Sequence, residues 1–383
     1  MGVELRPLGI ACNLQCQYCY QNPQRDAGNI HRSYDVELMK EAVERQGGPF
    51  TMFGGEPLLL PATDLRELWA WGLERYGQNS IQTNGVLVTD EHVDMFKEYK
   101  VEVGISFDGP GELNDARWMG TLQRTREATR KTEDAIARLC QEGIPPSLIL
   151  TLHRTNAIGH RLGRLQEWLL EIEAMGVRSA RLHILEVDEE QVRAKYALTV
   201  EENVETFLAM LDFEDRLTTL RFDLFSEMRQ LLLGEDERTS CVWNACDPYT
   251  TRAVRGVEGM GRASNCGRTN KDGIDFVKSD REGLERYLAL YHTPQEHGGC
   301  SGCRFFLMCK GQCPGTSIDG DWRNRSEHCE VWKRLFSRLE QDLAAAGHHP
   351  LSTSSEREHL ERRFVELWSA GEIATISAVR QRS

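Results

Sequence analysis

Cys12, Cys16 and Cys19 stand in the run Cys-Asn-Leu-Gln-Cys-Gln-Tyr-Cys, directly behind the short apolar opening Val3 to Ile10. Three thiols this close, just after a strand-like segment, constrain the fold more than any other feature of the chain. A cubic iron–sulfur cluster takes one ligand per iron, and soft thiolates suit it. Three cysteines then leave one iron open for a substrate or cofactor, an arrangement suited to reductive radical chemistry rather than electron storage. The alternatives are a disulfide pair or a zinc site. Structural zinc wants a closed tetrahedron, usually from paired C-x2-C or H-x3-H units. The x3-then-x2 triplet lacks that symmetry, and His31 is the candidate fourth zinc ligand.

Three further motifs follow in order: Gly54-Gly55-Glu56-Pro57 after an apolar strand, Gln82-Thr83-Asn84-Gly85, and Ser106-Phe107-Asp108-Gly109-Pro110. Each alone reads as an ordinary turn. In series behind the triplet, with Tyr18 between its last two cysteines, they resemble the radical S-adenosylmethionine (SAM) enzymes over most of residues 3–335. The resemblance implies a [4Fe–4S] cluster on Cys12, Cys16 and Cys19 with SAM on its open iron. It places the SAM amino group at Gly54, Gly55, Glu56 and Pro57, where Glu56 can accept a charge-assisted hydrogen bond. Ser106 would face the SAM carboxylate or ribose, Tyr18 would lie near the adenine, and Asn84 falls at the same strand-end rim. Arg117, Arg124, Arg126, Arg130 and Lys131 form a basic stretch. It reads as a solvated loop and helix start, or as the source of an arginine, Arg124 or Arg126, for the SAM carboxylate.

A second constellation comprises Cys241, Cys246, Gly261-x4-Cys266, Cys300-x2-Cys303-x5-Cys309-x3-Cys313 and Cys329. It resembles the SPASM extension behind certain radical SAM barrels. The resemblance implies two fully ligated auxiliary [4Fe–4S] clusters, one on Cys241, Cys246, Cys266 and Cys313, the other on Cys300, Cys303, Cys309 and Cys329. Of the twelve cysteines only Cys140 is left, in a helix-like stretch, as a buried small apolar residue. A zinc ribbon would need two C-x2-C pairs and only one is present.

Apolar or β-rich runs near Val3–Ile10, Pro49–Phe53, Ser80–Gln82, Val101–Phe107, Pro146–Leu152 and Ala180–Val187 each precede a segment of helical periodicity. This alternation predicts parallel strands with right-handed crossovers. The fold class is α/β, a partial (β/α)6 TIM-type barrel over residues 1–230, followed by a cysteine-rich SPASM domain over 231–335 and a helical tail over 336–383. Residues 196–235 read as a helical bridge, and the cysteine-rich region as too poor in apolar residues for a core of its own. In the tail, Ser355 with Glu358 suggests a capping box, and Leu360, Phe364, Leu367 and Trp368 form a stripe that packs back on the barrel or meets a partner. Catalytic groups of such barrels sit at the C-terminal strand ends, where His153, Glu186 and Asp108 are the candidate proton carriers.

A net charge of −13 over 383 residues disfavours a general nucleic-acid footprint. No apolar run approaches the ~20 residues of a membrane span, and no leader-like segment is seen, so the expectation is a cytoplasmic, reduced chain. The resemblance implies reductive cleavage of SAM to a 5′-deoxyadenosyl radical that abstracts hydrogen from substrate. Enzymes of this architecture oxidise a residue in sulfatases or crosslink ribosomally made peptides. In sulfatase-maturing members an Asp commonly follows the cysteine matching Cys266, whereas Gly267 and Arg268 stand here. The favoured expectation is therefore an oxidative crosslink, thioether or carbon–carbon, in a ribosomal precursor peptide; sulfatase-type oxidation and a small-molecule substrate are the alternatives. An electron donor such as flavodoxin or ferredoxin is implied. Leader binding would use the existing domains or a separate protein.

Overall fold

A computed structural model describes residues 2–382 apart from 29, 31, 188, 245, 249–253 and 270–282; His31 lies outside the described residues. The chain divides into two compact units, Gly2–Asp223 with Arg255–Asp275, and Leu224–Val254 with Phe276–Ser383.

The first unit is built on strands β1 (Val3–Arg6), β2 (Phe50–Met52), β3 (Asn79–Thr83), β4 (Val101–Ser106), β5 (Ser147–Leu152) and β6 (Ser179–Ile184). All are parallel, in spatial order of sequence. Helices α1 (Asn22–Asp26) and α2 (Val36–Gln46) follow β1. Then α3 (Ala62–Tyr76), α4 (Asp90–Glu98), α5 (Leu122–Gln141) and α6 (His160–Met175) alternate with the strands, and α7 (Glu190–Tyr196) and α8 (Val200–Glu214) follow β6. These are the six predicted βα units, and the partial barrel is what the alternation requires.

Two additions were not anticipated. A two-residue β7 (Arg221–Phe222) extends the sheet beyond β6, inside the stretch read as purely helical. β8 (Arg255–Glu258) pairs parallel with β1, and β9 (Ala263–Ser264) returns antiparallel to it. Residues 255–269, placed by sequence in the cysteine-rich domain, thus belong to the barrel unit. Arg6 helps hold them there: its buried guanidinium pairs with Glu258 (2.7 Å) and donates to Ser264 and to the Asn265 carbonyl (2.5 Å).

Strand residues alternate in character. Val3, Leu5, Phe50, Met52, Ile81, Val103, Ile105, Leu148, Leu150, Leu152, Leu182 and Ile184 are buried; each such side chain removed from water contributes about 1.5–3 kcal/mol. The intervening set includes Gln82, Ser106, Thr151 and His183, which line a cavity instead. A two-residue period on parallel strands, where a continuous apolar run is usual, marks a barrel whose interior sets polar side chains among apolar ones, Ile149 and Ile184 included.

The second unit begins with α9 (Asp223–Leu233) and contains α10 (Glu285–His292), α11 (Phe306–Cys309), α12 (Cys329–Ala345), α13 (Arg357–Ser369) and α14 (Ile376–Arg382), joined by short 3-10 turns. It does have a core, which corrects the sequence expectation: Trp243, Tyr287, Phe305, Phe306, Phe336, Phe364 and Trp368 are buried. Aromatic side chains supply in few residues what aliphatic content suggested was missing. The tail belongs to this unit, where Trp368 lies 5.2 Å from Tyr287 and 5.9 Å from Phe306, so its stripe packs here in place of the barrel contact expected. Nor does the Ser355 and Glu358 box form, because α13 starts at Arg357 behind Glu356 with no side-chain cap. Cys140, in α5, is half-buried. Among the described residues no helix is long and apolar enough to cross a membrane.

Candidate functional site

At the C-terminal ends of β1 to β6 the barrel unit holds a cavity of about 240 Å3. Of the residues singled out by sequence, Cys12, Cys16, Cys19, Tyr18, Gly54, Gly55, Asn84, Ser106 and Glu186 line it; Glu56, Pro57, Asp108, Arg126 and His153 do not.

The cysteine loop is fixed by main-chain bonds. Gln15 N–H donates to the Trp118 carbonyl (2.7 Å), Gln17 N–H to Ala116 (2.8 Å) and Cys19 N–H to Cys16 (3.1 Å). The sulfurs receive donors as well: Arg25 Nη2 lies 2.9 Å from Cys19 Sγ, and Leu14 N–H 3.4 Å from Cys12 Sγ. Burial pushes the Cys12 thiol up, and it pushes Cys16 up to about 12. Thiolates in such a dry pocket need a compensating cation, which a coordinating metal provides by displacing the proton outright. Three sulfurs on one cavity wall, with hydrogen-bond donors already aimed at two of them, fit an iron–sulfur cluster.

Gly54 and Gly55 are required by the cysteine loop itself. A Cβ on Gly55 would stand 2.0 Å from the Ala11 carbonyl oxygen, and one on Gly54, at φ +121°, 2.5 Å from that of Gly9. Gly55 N–H donates to the Gly9 carbonyl (2.8 Å) and Glu56 N–H to that of Ala11 (2.9 Å), so the turn after β2 is laced onto the segment that leads into Cys12. The structure gives Glu56 a different post from the one the sequence suggested. It is 1% exposed, and its carboxylate accepts from Leu58 N–H (3.0 Å), Thr83 Oγ1 (2.7 Å) and Asn84 N–H (2.8 Å). Its oxygens are engaged in tying the second motif to the third. Asn84 in turn donates to Asn13 Oδ1 (2.7 Å), and Gln82 donates to Ser106 Oγ (2.9 Å).

Behind this rim, Tyr18 donates through its hydroxyl to Asp108, and His153 Nε2 lies 3.4 Å from the same carboxylate. Thr155 N–H donates to His153 Nδ1 (3.2 Å), so the ring hydrogen sits on Nε2 and points at Asp108. Burial pushes the Asp108 carboxyl up, but His153, Arg117 and Tyr18 outweigh it and hold it below its usual value. Asp108 and His153 are fully buried and support the Tyr18 ring, 5.2 Å from the imidazole. Arg126 is bound bidentately to Asp115, away from the cavity; Arg117 is the member of the basic stretch that reaches it.

On the β6 side, Glu186 pairs with Arg268 (2.8 Å), and Arg268 Nη2 lies 2.7 Å from His183 Nδ1. Burial, then Arg268 and Arg181, hold the His183 imidazole well below its ordinary value, so it is neutral near pH 7. Sequence reading noticed Arg268 only as a departure from a pattern and did not single out His183. Its position next to the apolar end of β6, on the polar side of the alternation, was the available signal. Gly267 faces the ring of Tyr20, whose Cε2 would lie 2.9 Å from a Cβ there.

The second unit has a cavity of its own, lined by Cys300, Cys303, Cys309 and Cys329 among Phe305, Phe306, Trp332 and Phe336. Burial pushes the Cys300 thiol up to about 12 and Cys309 well above its ordinary value, and in both cases Cys329 and Cys303 push the same way. Four sulfurs face one narrow space whose wall is largely aromatic, with Arg325 and Lys333 at its edge, the donor set of a fully ligated cluster. Cys241 and Cys313 also lie in this unit and are half-buried and buried; Cys266 lies in the barrel unit.

Residues 7–158 match the model of the Radical SAM superfamily. Over 131 residues the chain is 36% identical to the serine-type anaerobic sulfatase-maturating enzyme of Bacteroides thetaiotaomicron, an alignment covering 30% of each chain. Over 386 residues it is 24% identical to the cysteine-type anaerobic sulfatase-maturating enzyme of Clostridium perfringens, covering 88% of this chain and 95% of that protein. The chain thus spans under a third of the first relative and nearly all of the second. Among solved structures it resembles native anSMEcpe with bound AdoMet, at TM-score 0.68 and 19% identity over 90% of this chain and 98% of the other. It also resembles Streptococcus suis SuiB bound to S-adenosylmethionine, at TM-score 0.56 and 16% identity over 86% of this chain and 77% of the other. These structural likenesses establish the fold.

Proposed function

We propose, from the premise that this chain is a radical SAM enzyme, that it oxidatively modifies a residue of a ribosomally made peptide, forming a thioether or carbon–carbon crosslink. The observation that carries the reading is the one cavity that gathers Cys12, Cys16, Cys19, Gly54, Gly55, Asn84 and Ser106 from the ends of β1 to β4. The three cysteines would hold the cluster, and the other four positions would hold SAM. SAM on such a cluster supplies, on one-electron reduction, the 5′-deoxyadenosyl radical that takes a hydrogen atom from substrate.

The protein's own residues do the rest. Leu14, Ile149, Ile184 and Leu185 keep water from the cavity. Arg25, hydrogen-bonded to Cys19, offsets negative charge at the thiolates. Oxidation of the substrate releases a proton and a second electron after the hydrogen atom. Glu186 is the carboxylate among the described lining residues, paired with Arg268 at 2.8 Å, and would accept that proton. The auxiliary centre of the four-cysteine cavity is a suitable one-electron acceptor. The set Cys241, Cys246, Cys266 and Cys313 rests on the family resemblance alone. A donor of flavodoxin or ferredoxin type supplies the initiating electron, and leader recognition falls to these units or to a separate protein.

A second reading, oxidation of a sulfatase residue, is favoured by the clostridial relative that the chain matches over 95% of that protein's length. Gly267 after Cys266 is the feature that sets this chain apart. The test is anaerobic: reconstitute the protein, count iron and sulfide, and add SAM and dithionite with candidate peptides. Three clusters predict ~12 irons per chain, 5′-deoxyadenosine, and a peptide lighter by two hydrogens. A product that reacts with a hydrazide is an aldehyde and selects the second reading. Zinc in place of iron, or no cleavage of SAM with full clusters, overturns both.

A further inference from the structure

Arg286, in α10, is 0% exposed. Its guanidinium donates to the backbone carbonyls of Trp322 (2.6 Å), Gln312 (2.9 Å), Asn324 (3.0 Å), Gly311 (3.3 Å) and Lys310 (3.4 Å). Among the described residues no carboxylate forms an ion pair with it, and Asp247 accepts its main-chain N–H (3.4 Å) instead. The guanidinium itself is met by carbonyl dipoles, with the buried Asp247 carboxylate bonded to the main chain of the same residue, so a further anion beside the guanidinium would lower the cost of burying its charge.

Three of those carbonyls come from consecutive residues with left-handed backbone, Lys310 (φ +49°), Gly311 (φ +74°) and Gln312 (φ +62°). Two of the three are not glycine, and such a run does not persist without something that over-determines it. The guanidinium does so, by collecting the three carbonyls on one fork. The turn it fixes is the whole connection between Cys309 and Cys313. Gly311 and Gln312 also line the four-cysteine cavity, so the guanidinium that holds their carbonyls lies directly behind its wall.

We infer that Arg286 is a positioning residue of the four-cysteine cavity: it fixes the left-handed turn between Cys309 and Cys313, and, behind the lining cations Arg325 and Lys333, it adds a buried positive charge for an anionic iron–sulfur cluster on Cys300, Cys303, Cys309 and Cys329. The inference rests on the cluster reading of that cavity given above. A cube with four thiolates carries net negative charge in both of its working states, and more after it gains an electron. A fixed cation beside it therefore favours the reduced state and raises the reduction potential. The step involves one electron and no bond made or broken.

The experiment uses the full chain, reconstituted anaerobically, with iron and sulfide counted and potentials followed by electron paramagnetic resonance. Arg286→Gln removes the charge and should move one auxiliary signal to more negative potential, leaving the signal that responds to SAM in place. Arg286→Lys keeps the charge but loses the fork. It should lose iron per chain while the clusters that do form keep a potential near that of the parent. Unchanged iron and potential in both single variants overturns the role of Arg286. So does an equal potential shift in Arg286→Lys and Arg286→Gln. Cys329→Ala is the control for the underlying reading: undiminished iron in that variant overturns the cluster assignment itself.

Discussion

The two cysteine cavities solve different problems with the same ligand. In the barrel unit three sulfurs share a space of about 240 Å3 with Gly54, Gly55, Asn84, Ser106 and Glu186, so room and polar groups remain after any centre is seated. In the second unit four sulfurs are enclosed by Phe305, Phe306, Trp332 and Phe336. The first arrangement suits a centre that must exchange a ligand, the second one that passes electrons and is otherwise left alone. Their supports differ too. Under the first lies a sheet whose buried face does not depend on the centre, whereas in the second the core aromatics themselves wall the sulfurs, and a left-handed loop joins Cys309 of α11 to Cys313, where metal binding adds to folding energy.

The largest contrast is expected from removing one sulfur on each side. Cys16→Ser should abolish 5′-deoxyadenosine formation while thermal unfolding of the chain changes little. Cys309→Ser should leave SAM cleavage measurable, stop peptide product, and lower the melting temperature. Chromatography of 5′-deoxyadenosine and a melting curve on the same reconstituted samples decide it. If Cys309→Ser abolishes cleavage as fully as Cys16→Ser, the division of labour between the cavities is wrong.

Glycine to alanine changes sharpen the comparison at lower cost. Gly55→Ala drives a Cβ into the Ala11 carbonyl, and overpacking of this kind destabilises by roughly 1–3 kcal/mol, here spent on shifting the cysteine loop. Gly302, between Cys300 and Cys303, has φ +72° and open space around its missing Cβ. Alanine there meets only backbone strain, about 1 kcal/mol. Iron content with SAM cleavage should fall sharply in Gly55→Ala and hardly at all in Gly302→Ala. Equal losses would mean that close contact with Ala11 is not what Gly55 supplies.

Much of the first cavity was legible because its residues come in short motifs at strand ends, where period and spacing carry information. The six strands fall where the sequence put them, and the cysteine triplet, Gly54, Asn84 and Ser106 line one cavity at their ends. What was illegible depends on contacts between distant segments. Glu56 reads as a ligand for a cation until Thr83 and Asn84 are seen occupying its oxygens. Arg117 and Arg126 stand in one basic stretch, and only the Asp115 partner of Arg126 distinguishes them. β8 and β9 were missed because two to four residues give no usable period, and the pairing of β8 with β1 spans the chain. The aromatic core of the second unit escaped a reading that counted apolar residues without weighing their size.

Two carboxylates of the barrel unit, Glu56 and Glu186, offer a finer separation. Glu56→Gln replaces an acceptor of three hydrogen bonds by a group that brings its own donors, leaving buried N–H or O–H groups to compete, at a cost of about 1–3 kcal/mol. Glu186→Gln removes a charge partner of Arg268 at the edge of a cavity and should cost less stability. Its effect should appear in peptide product formed per 5′-deoxyadenosine, which falls if the substrate proton has no acceptor. A Glu186→Gln variant with parental product yield assigns the proton to another group.

The smallest expected effect concerns pH, and its sign follows from His183. The imidazole is buried against Arg268 and Arg181, so its folded-state value lies well below the 6.5 of the unfolded chain. A base whose value is depressed on folding binds more protons when unfolded. The stabilisation is therefore complete above pH 6.5 and is lost as pH falls below it, at no more than ~1.4 kcal/mol per pH unit. The four-cysteine cavity has no histidine among its described lining residues, so this slope belongs to the barrel unit. Melting temperature between pH 7.5 and 5.5, compared with His183→Asn, isolates it: the variant should fall less steeply than the parent over that window. Parallel curves would show that His183 already takes a proton in the folded chain. Glu186 would then be the group that offsets both cations on that wall, and Glu186→Gln, not the histidine variant, would become the change that loosens the β6 side of the cavity.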